Sequence, residues 1–221
     1  MCGHVYRFKT TVVLKTPAVS LKIVNLMGKG RMEAFSDGVL AIIITIMVLE
    51  MKVPPGNSIS SLQPILPVFL SYVLSFTNIG IYWNNHHHLM HSVNKVNGTV
   101  LWTNIHLLFW LSLFPFATAW MGENHFSTWP VALYGFVSLM AGIAYYFLAH
   151  CLAGIQGKDS TLSRALGKDR KGILSVVFYF IGIGLAFINS WLGFAMYVVV
   201  ATMWFIPDKR IEKKINNHPG E

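Results

Sequence analysis

Residues 32–51 read MEAFSDGVLAIIITIMVLEM, and this stretch decides the class of fold. From Gly38 to Leu49 it contains no charged side chain and consists mostly of Ile, Leu, Val and Met. A hydrocarbon core about 30 Å thick is crossed by a helix of roughly 20 predominantly apolar residues. The stretch therefore predicts a membrane-spanning helix, and Pro54 and Pro55 close it on its far side.

The composition of the whole chain agrees with a membrane protein. Of its 221 residues 54% are hydrophobic, and the chain carries only 17 basic and 9 acidic side chains. Between residues 53 and 157 the only charged side chains are Lys95 and Glu123. A water-soluble globule needs many more charges to cover its surface, so that class is excluded.

Five further apolar stretches follow the first one, which predicts an all-α, polytopic protein with six transmembrane helices. The predicted spans are 32–51, 62–83, 100–121, 129–151, 172–189 and 191–206. Pro115 lies inside the third span and is expected to kink it, because proline lacks the amide proton that a helix interior needs. The last two spans are short.

The basic residues predict the orientation of these helices. Residues 1–31 carry six Lys or Arg, 86–99 carry one, 152–171 carry five and 207–221 carry four. With six spans these four segments fall on one side, and Lys52 is the one basic residue on the other. Because Lys and Arg concentrate in cytoplasmic loops, both termini are predicted to be cytoplasmic. The orientation of the helices then accounts for the net charge of +8, and no nucleic-acid partner is expected.

The distribution of apolar spans and basic segments divides the chain into three parts. Residues 1–30 are expected to be an extension that is disordered or lies upstream of the true start, because Met27 and Met32 are alternative starts. Residues 31–206 form the transmembrane domain, and 207–221 form a basic cytoplasmic tail.

The first helix carries a cluster of charges, Arg31, Glu33 and Asp37, next to Ser36. Asp37 lies within the apolar run, where an ionisable group is costly and indicates a functional or structural network with a partner. The alternative is a carboxylate that interacts with the positive end of the helix dipole and with Arg31.

Further along the helix, Gly38, Ile42, Thr45 and Leu49 recur at helical spacing and form one stripe. If several copies of this helix met around an axis, the stripe would line a narrow hydrophobic passage that selects ions by its diameter. Plain apolar packing against other helices explains the stripe equally well. At the outer end Glu50 would form a ring of carboxylates that attracts cations.

Two sequence motifs resemble a known family. The string RMEAFSDGV at 31–39 resembles the RxxxFSD signature of the transmembrane protein 175 family, and WNNHH at 83–87 resembles the segment after that family's second helix. Together with the topology, the resemblance covers nearly all of 31–206. It implies a potassium-permeable channel in the plasma membrane of a prokaryote, leaves proton conduction open, and implies no enzyme activity and no cofactor.

The resemblance also implies roles for individual residues. Ile42 would form the pore constriction, Thr45 a selectivity layer and Leu49 a second hydrophobic layer. The motif positions are implied to hold the helices together through polar contacts, and they are Arg31, Phe35, Ser36, Asp37, Trp83, Asn85, His86 and His87. The motif occurs once here and twice in the animal proteins, so four subunits are expected to enclose the pore. The lipid bilayer and the permeant potassium ion or proton are the other expected partners.

Two other functions remain open at this point. A proton-coupled secondary transporter would use Asp37 and the histidines as a relay, although no internal repeat is visible. A membrane metal hydroxylase would use the cluster of His86, His87, His88 and His91, although several such clusters are usual and no metal site is expected here.

Polar and small residues elsewhere are interpreted as packing features. Asn104, His106, Ser112 and Thr118 in the third span are expected to make hydrogen bonds between helices. Gly182 and Gly184 in the fifth span indicate close helix packing.

Overall fold

The computed structural model describes residues 17–93, 96–157, 162–163 and 170–205, with side chains for 28–93, 96–157, 162–163 and 171–205. Within these ranges all regular structure is helical and no strand occurs, as predicted. Residues 1–16 of the predicted extension and the whole tail 207–221 lie outside the described residues.

Apart from residues 162–163, which are also helical, the regular structure of the described chain consists of seven α-helices and one short 3₁₀ helix. They are α1 (Pro17–Leu49), the 3₁₀ helix (Ile59–Ile65), α2 (Leu66–His91), α3 (Gly98–Ser112), α4 (Phe114–Glu123), α5 (Thr128–Gln156), α6 (Arg170–Ala186) and α7 (Ser190–Phe205).

Four of the resulting segments are long and apolar enough to cross a membrane. They are Gly28–Leu49, Ile59–His91, Gly98–Glu123 and Thr128–Gln156. The described parts of the last two predicted spans, Lys171–Ala186 and Ser190–Phe205, are shorter apolar helices. At 1.5 Å per residue each is about 24 Å long, less than the roughly 30 Å of a hydrocarbon core. The structure therefore supports a multi-pass membrane protein, and six complete crossings remain a prediction.

Two helices are longer than the sequence predicted. The first helix begins at Pro17, so the RxxxFSD motif lies inside a helix and does not open one. The second helix continues past Trp83 to His91, which places the whole histidine cluster on helical backbone. Hydropathy marks the part of a helix that lies in the membrane, and both helices continue beyond that part.

The third predicted span is interrupted at Pro115, as expected. α3 ends at Ser112, and α4 starts at Phe114 with Pro115 in its first turn. Proline is tolerated there because the first turn has no intrahelical acceptor for its missing amide proton.

Close packing joins the α6–α7 hairpin to the long helix α5. A Cβ added to Gly182 would lie 2.6 Å from Tyr197 Cε1, and Tyr197 is fully buried between these helices. The expectation of close packing is therefore confirmed for Gly182. It is wrong for Gly184, where an added Cβ would meet no atom within 4 Å, because that position faces away from α7.

Candidate functional site

The first helix has two faces with different surroundings. Met32, Ser36, Leu40, Ile43 and Met47 are buried, and they recur every three to four residues along one side of α1. This side packs against α2, α3 and α4. The side chains on the opposite side are exposed within the described chain, and most of them are apolar.

The predicted stripe lies on this uncovered side. Gly38 and Thr45 are exposed, and the side chains of Ile42 and Leu49 are 59% and 74% exposed. The Thr45 hydroxyl donates a 2.8 Å hydrogen bond to the Ala41 carbonyl on its own helix. Because the donor is used in this way, the oxygen of Thr45 presents lone pairs toward the uncovered side.

A chain of buried hydrogen bonds ties α1 to α2 and α3. Ser36 Oγ donates to the Met32 carbonyl at 2.8 Å, and Asn104 Nδ2 donates to Ser36 Oγ at 2.9 Å. The amide oxygen of Asn104 lies 2.9 Å from His86 Nε2. Since that oxygen only accepts, the Nε2 atom of His86 carries the proton in this bond. All three side chains are at most 4% exposed, so the chain is shielded from solvent.

Asp37 is not part of this chain of hydrogen bonds and has a different partner. Its Oδ1 atom accepts a 3.1 Å hydrogen bond from Trp83 Nε1, and both residues are exposed. Arg31 is also exposed and makes no hydrogen bond or ion pair with the described part of the chain. The polar network implied for Arg31, Ser36 and Asp37 stays a prediction, and within one chain Ser36 and Asp37 have different partners. Ser36 and Asp37 are adjacent in sequence and point about 100° apart around the helix.

The remaining motif residues lie around this contact. Phe35 is exposed, and His87 stacks on Trp83 with ring centroids 5.9 Å apart. The backbone carbonyl of Asn85 accepts a 3.3 Å hydrogen bond from the Tyr145 hydroxyl. The structure thus brings Ser36 and His86 into one group, and Asp37, Trp83 and His87 into another.

The histidine cluster forms ring contacts and no metal-binding geometry. The rings of His87 and His91 lie edge to face with centroids 4.4 Å apart, and His88 lies beside His87. Among the described side chains, no three His, Cys, Asp or Glu residues are placed to hold a metal ion. The geometry gives no support to a metal hydroxylase.

A second buried polar group lies in the other half of the bundle, and the sequence indicated only one of its members, Thr118. Ser75 Oγ lies 2.6 Å from Thr118 Oγ1 and donates to the Tyr134 hydroxyl at 3.1 Å. Asn78 Nδ2 donates to the same hydroxyl at 3.0 Å. Ser75, Asn78 and Tyr134 are distributed in otherwise apolar helices, and no sequence motif distinguishes them.

The expectation for the polar residues of the third span holds for two of the four. Asn104 and Thr118 bond to other helices, as predicted. His106 accepts a hydrogen bond from Trp110 on its own helix, and Ser112 donates to the Phe109 carbonyl one turn back. Both of the latter bonds stay within α3, so the expectation is wrong for these two residues.

At the other end of α1, three charged residues lie near the helix terminus. Glu50 is exposed directly after the last residue of α1. Lys52 Nζ lies 3.3 Å from Glu123 Oε1 in an exposed ion pair that links the end of α1 to the end of α4. Within the described chain, Glu50 makes no ion pair.

Comparison with known proteins establishes the family. The family model described as endosomal/lysosomal potassium channel TMEM175 matches residues 31–115. A potassium channel of Chryseobacterium sp. (strain P1-3) is 55% identical over 192 residues, which cover 87% of this chain and 100% of that protein. The chain belongs to the TMEM175 family. The resemblance carried by the two motifs is thereby confirmed.

Other TMEM175 relatives agree in sequence and in structure. A potassium channel of Chamaesiphon minutus is 32% identical over 188 residues, covering 78% of this chain and 91% of that protein. The crystal structure of a lysosomal potassium-selective channel TMEM175 homolog from Chamaesiphon minutus matches with a TM-score of 0.69 at 28% identity. That match covers 80% of this chain and 96% of the homolog.

Animal members of the TMEM175 family are more distant and much longer. The endosomal/lysosomal proton channel TMEM175 of Mus musculus is 35% identical over 103 residues, which represent 41% of this chain and 21% of the mouse protein. These relatives are channels, so the expectation that the chain is no enzyme is confirmed. The matched range 31–115 contains Ser36, His86 and Asn104, the three members of the buried chain of hydrogen bonds.

Proposed function

We propose that this protein is a potassium-permeable cation channel in a prokaryotic plasma membrane, and that four copies of the chain enclose its pore. Both termini are cytoplasmic in this proposal, and the first helix of each subunit lines the conduction path. Support comes from relatives that are named potassium channels and that align with most of this chain.

One observation carries the proposal: the two faces of α1. A membrane helix that packs three neighbours on one side leaves its second side to lipid, to another copy of the chain or to a water-filled path, and the composition of that side favours the latter two. The uncovered side contains Gly38 and Thr45, a small residue and a hydroxyl, among branched aliphatic residues. Such a surface suits close approach of equivalent helices around an axis.

The stripe supplies three layers at different depths of this path. Ile42 and Thr45 are about 4.5 Å apart along the helix axis, and Leu49 follows about 6 Å further on. A ring of four Ile42 side chains would form a hydrophobic constriction that admits ions according to its diameter and its wetting. The Thr45 oxygens would offer lone pairs to a partly dehydrated cation just beyond it.

The buried polar chain holds this helix in place. Ser36 lies about 9 Å along the axis from Ile42, and its bonds to Asn104 and His86 fix the rotation of α1 against α2 and α3. A fixed rotation keeps Ile42 directed toward the axis. The proposed role of this group is therefore structural, since none of its side chains lies on the uncovered side.

The same geometry weakens the proton-coupled transporter. A relay would require Asp37 and the buried histidine in one hydrogen-bonded path. Instead Asp37 bonds to Trp83, while His86 bonds to Asn104, whose other partner Ser36 lies about 100° around α1 from Asp37. Proton permeation through the channel itself is a separate question, and reversal potentials recorded under a pH gradient measure it directly.

Reconstitution tests the proposal. Full-length protein in planar bilayers should give single-channel steps and a reversal potential that follows the potassium gradient. Ile42→Asn should raise conductance and reduce the preference for potassium over sodium. Val48→Asn is the matched control, because Val48 is also exposed on α1 and lies about 120° around the helix from Ile42. Equal effects of the two variants, or saturating flux without steps, would reject the proposal.

A further inference from the structure

A cavity of about 320 Å³ lies between α2, α5, α6 and α7. Among the residues whose side chains are described, none from α1, α3 or α4 contributes to its wall, so the cavity is separate from the proposed conduction path. Its volume is at the small end of the range of about 300–1,000 Å³ that is usual for sites of small ligands.

The cavity opens between α5 and α6. Tyr146, Ile173 and Val177 line it and are also exposed on the outer surface of the bundle. Because these helices are apolar membrane helices, a lateral opening at this place faces lipid tails. Gly142 on α5 leaves the space inside open, since the nearest atom to an added Cβ would be the Tyr82 hydroxyl at 3.7 Å.

Two side chains in the wall carry hydrogen-bond donors that no described residue accepts. They are the Tyr82 hydroxyl and the Asn85 side-chain amide, and both residues are part-buried. A ligand with acceptors satisfies these donors where the apolar wall does not. Ester carbonyls, which link the headgroup of a glycerophospholipid to its acyl chains, accept hydrogen bonds and donate none.

Lys171 lies at one end of the cavity. It stands at the start of α6 and directly precedes Gly172 and Ile173, which line the wall. Lys171 Nζ donates a 3.4 Å hydrogen bond to the Met203 carbonyl, which is adjacent in sequence to Trp204 in the wall. Basic pockets between transmembrane helices on the cytoplasmic side attract anionic headgroups, and Trp is enriched at that depth of a membrane.

We propose that this cavity binds one acyl chain of an anionic glycerophospholipid. The phosphate lies beside Lys171, the ester carbonyls accept hydrogen bonds from Asn85 and Tyr82, and the chain enters between α5 and α6. The proposal depends on the membrane location of the chain and is independent of which ions the pore conducts.

Native mass spectrometry of the full-length protein in detergent tests this proposal. The protein is titrated with phosphatidylglycerol and with phosphatidylcholine of the same acyl chains. Phosphatidylglycerol should bind at least about tenfold more tightly. Gly142→Leu fills the cavity and should weaken binding of both lipids about tenfold. Gly154→Leu is the control, because this glycine lies on the same helix, outside the cavity wall, with no atom within 4 Å of an added Cβ.

The variant Lys171→Gln separates binding of the headgroup from binding of the acyl chain. It should remove the preference for phosphatidylglycerol and leave the affinity for phosphatidylcholine unchanged. A preference that persists in this variant overturns the proposal, even if Gly142→Leu fails to fold. The proposal is also overturned if Gly142→Leu binds lipid as Gly154→Leu does, or if the wild-type protein binds both lipids equally.

Discussion

At the scale of single residues, Ser36 and Asp37 show how one step along a helix changes the role of a polar group. Ser36 is completely buried and shares a hydrogen-bonded chain with Asn104 and His86. Asp37 is exposed and bonds to Trp83. The motif string identified both residues from sequence. It did not indicate that they belong to different groups, because that depends on which side of α1 the other helices cover.

Ser36→Ala should destabilise the folded protein more than Ser112→Ala does. The first change removes a buried acceptor and leaves the Asn104 amide without a partner. The second removes a bond between an exposed hydroxyl and its own helix. Interhelical hydrogen bonds in membranes contribute roughly 0.6–1.7 kcal/mol, so Ser36→Ala should cost about that much. Reversible unfolding in mixed micelles measures both variants, and equal free energies would contradict the structural role of Ser36.

Thr45→Val should change ion selectivity without unfolding the protein. The substitution preserves shape and removes the oxygen that is proposed to contact a cation. A single hydrogen-bond-like interaction of about 0.5–1.5 kcal/mol corresponds to a two- to tenfold change in the potassium/sodium permeability ratio. Thr77→Val is the control, since Thr77 on α2 makes the same hydrogen bond to the carbonyl four residues back. A permeability ratio unaffected by Thr45→Val would remove Thr45 from the selectivity layer.

At the scale of helices, hydropathy predicted which segments are helical but not the residues at which the helices begin and end. The apolar parts of α1 and α2 were predicted, whereas the continuation of α1 upstream to Pro17 and of α2 to His91 was not. Outside the apolar core a helix is specified by packing and by neighbouring helices, which sequence periodicity does not show. The interruption near Pro115 was predictable because proline lacks the amide proton that a helix interior needs. This effect is local and does not depend on the tertiary structure.

Glycine spacing in α6 gives a prediction at this scale. Gly182→Ala should destabilise the α6–α7 hairpin by about 1–3 kcal/mol, because the added methyl group meets the buried ring of Tyr197. Gly184→Ala should be neutral or slightly stabilising, since alanine favours a helix and the position is open. Thermal unfolding of the two variants side by side measures the difference. A larger loss for Gly184→Ala would contradict the packing described for this hairpin.

At the scale of the whole molecule, a single chain leaves one side of its first helix uncovered. Sequence reasoning placed Ile42 and Leu49 on one stripe, and the structure shows that no helix of the described chain packs over that stripe. Sequence could not show this, because the same periodicity fits a helix buried among its neighbours. The positions of Ser75, Asn78 and Tyr134 were also unpredictable, since their partners lie on distant segments.

A ring of Glu50 carboxylates at the outer mouth predicts a dependence on ionic strength. Glu50→Gln should reduce single-channel conductance when potassium is dilute, because fewer cations accumulate at the mouth. In about 1 M salt the Debye length is roughly 3 Å, so the variant and the wild type should then conduct equally. Conductance measured over a range of potassium concentrations tests this. A reduction of the same size at all concentrations would assign Glu50 a role other than attraction of cations.

The central claim is that the uncovered side of α1 lines the conduction path of an assembly of four chains. Cysteine accessibility tests it most directly, in a background in which Cys2 and Cys151 are replaced by Ser. Single-channel potassium currents are recorded while silver ions are added to variants that carry one cysteine on α1. Current should be blocked irreversibly in Ile42→Cys, Thr45→Cys and Leu49→Cys, and should persist in Ile43→Cys and Met47→Cys, whose positions are buried against other helices. Block of the buried positions together with persistent current in the stripe variants would contradict the account.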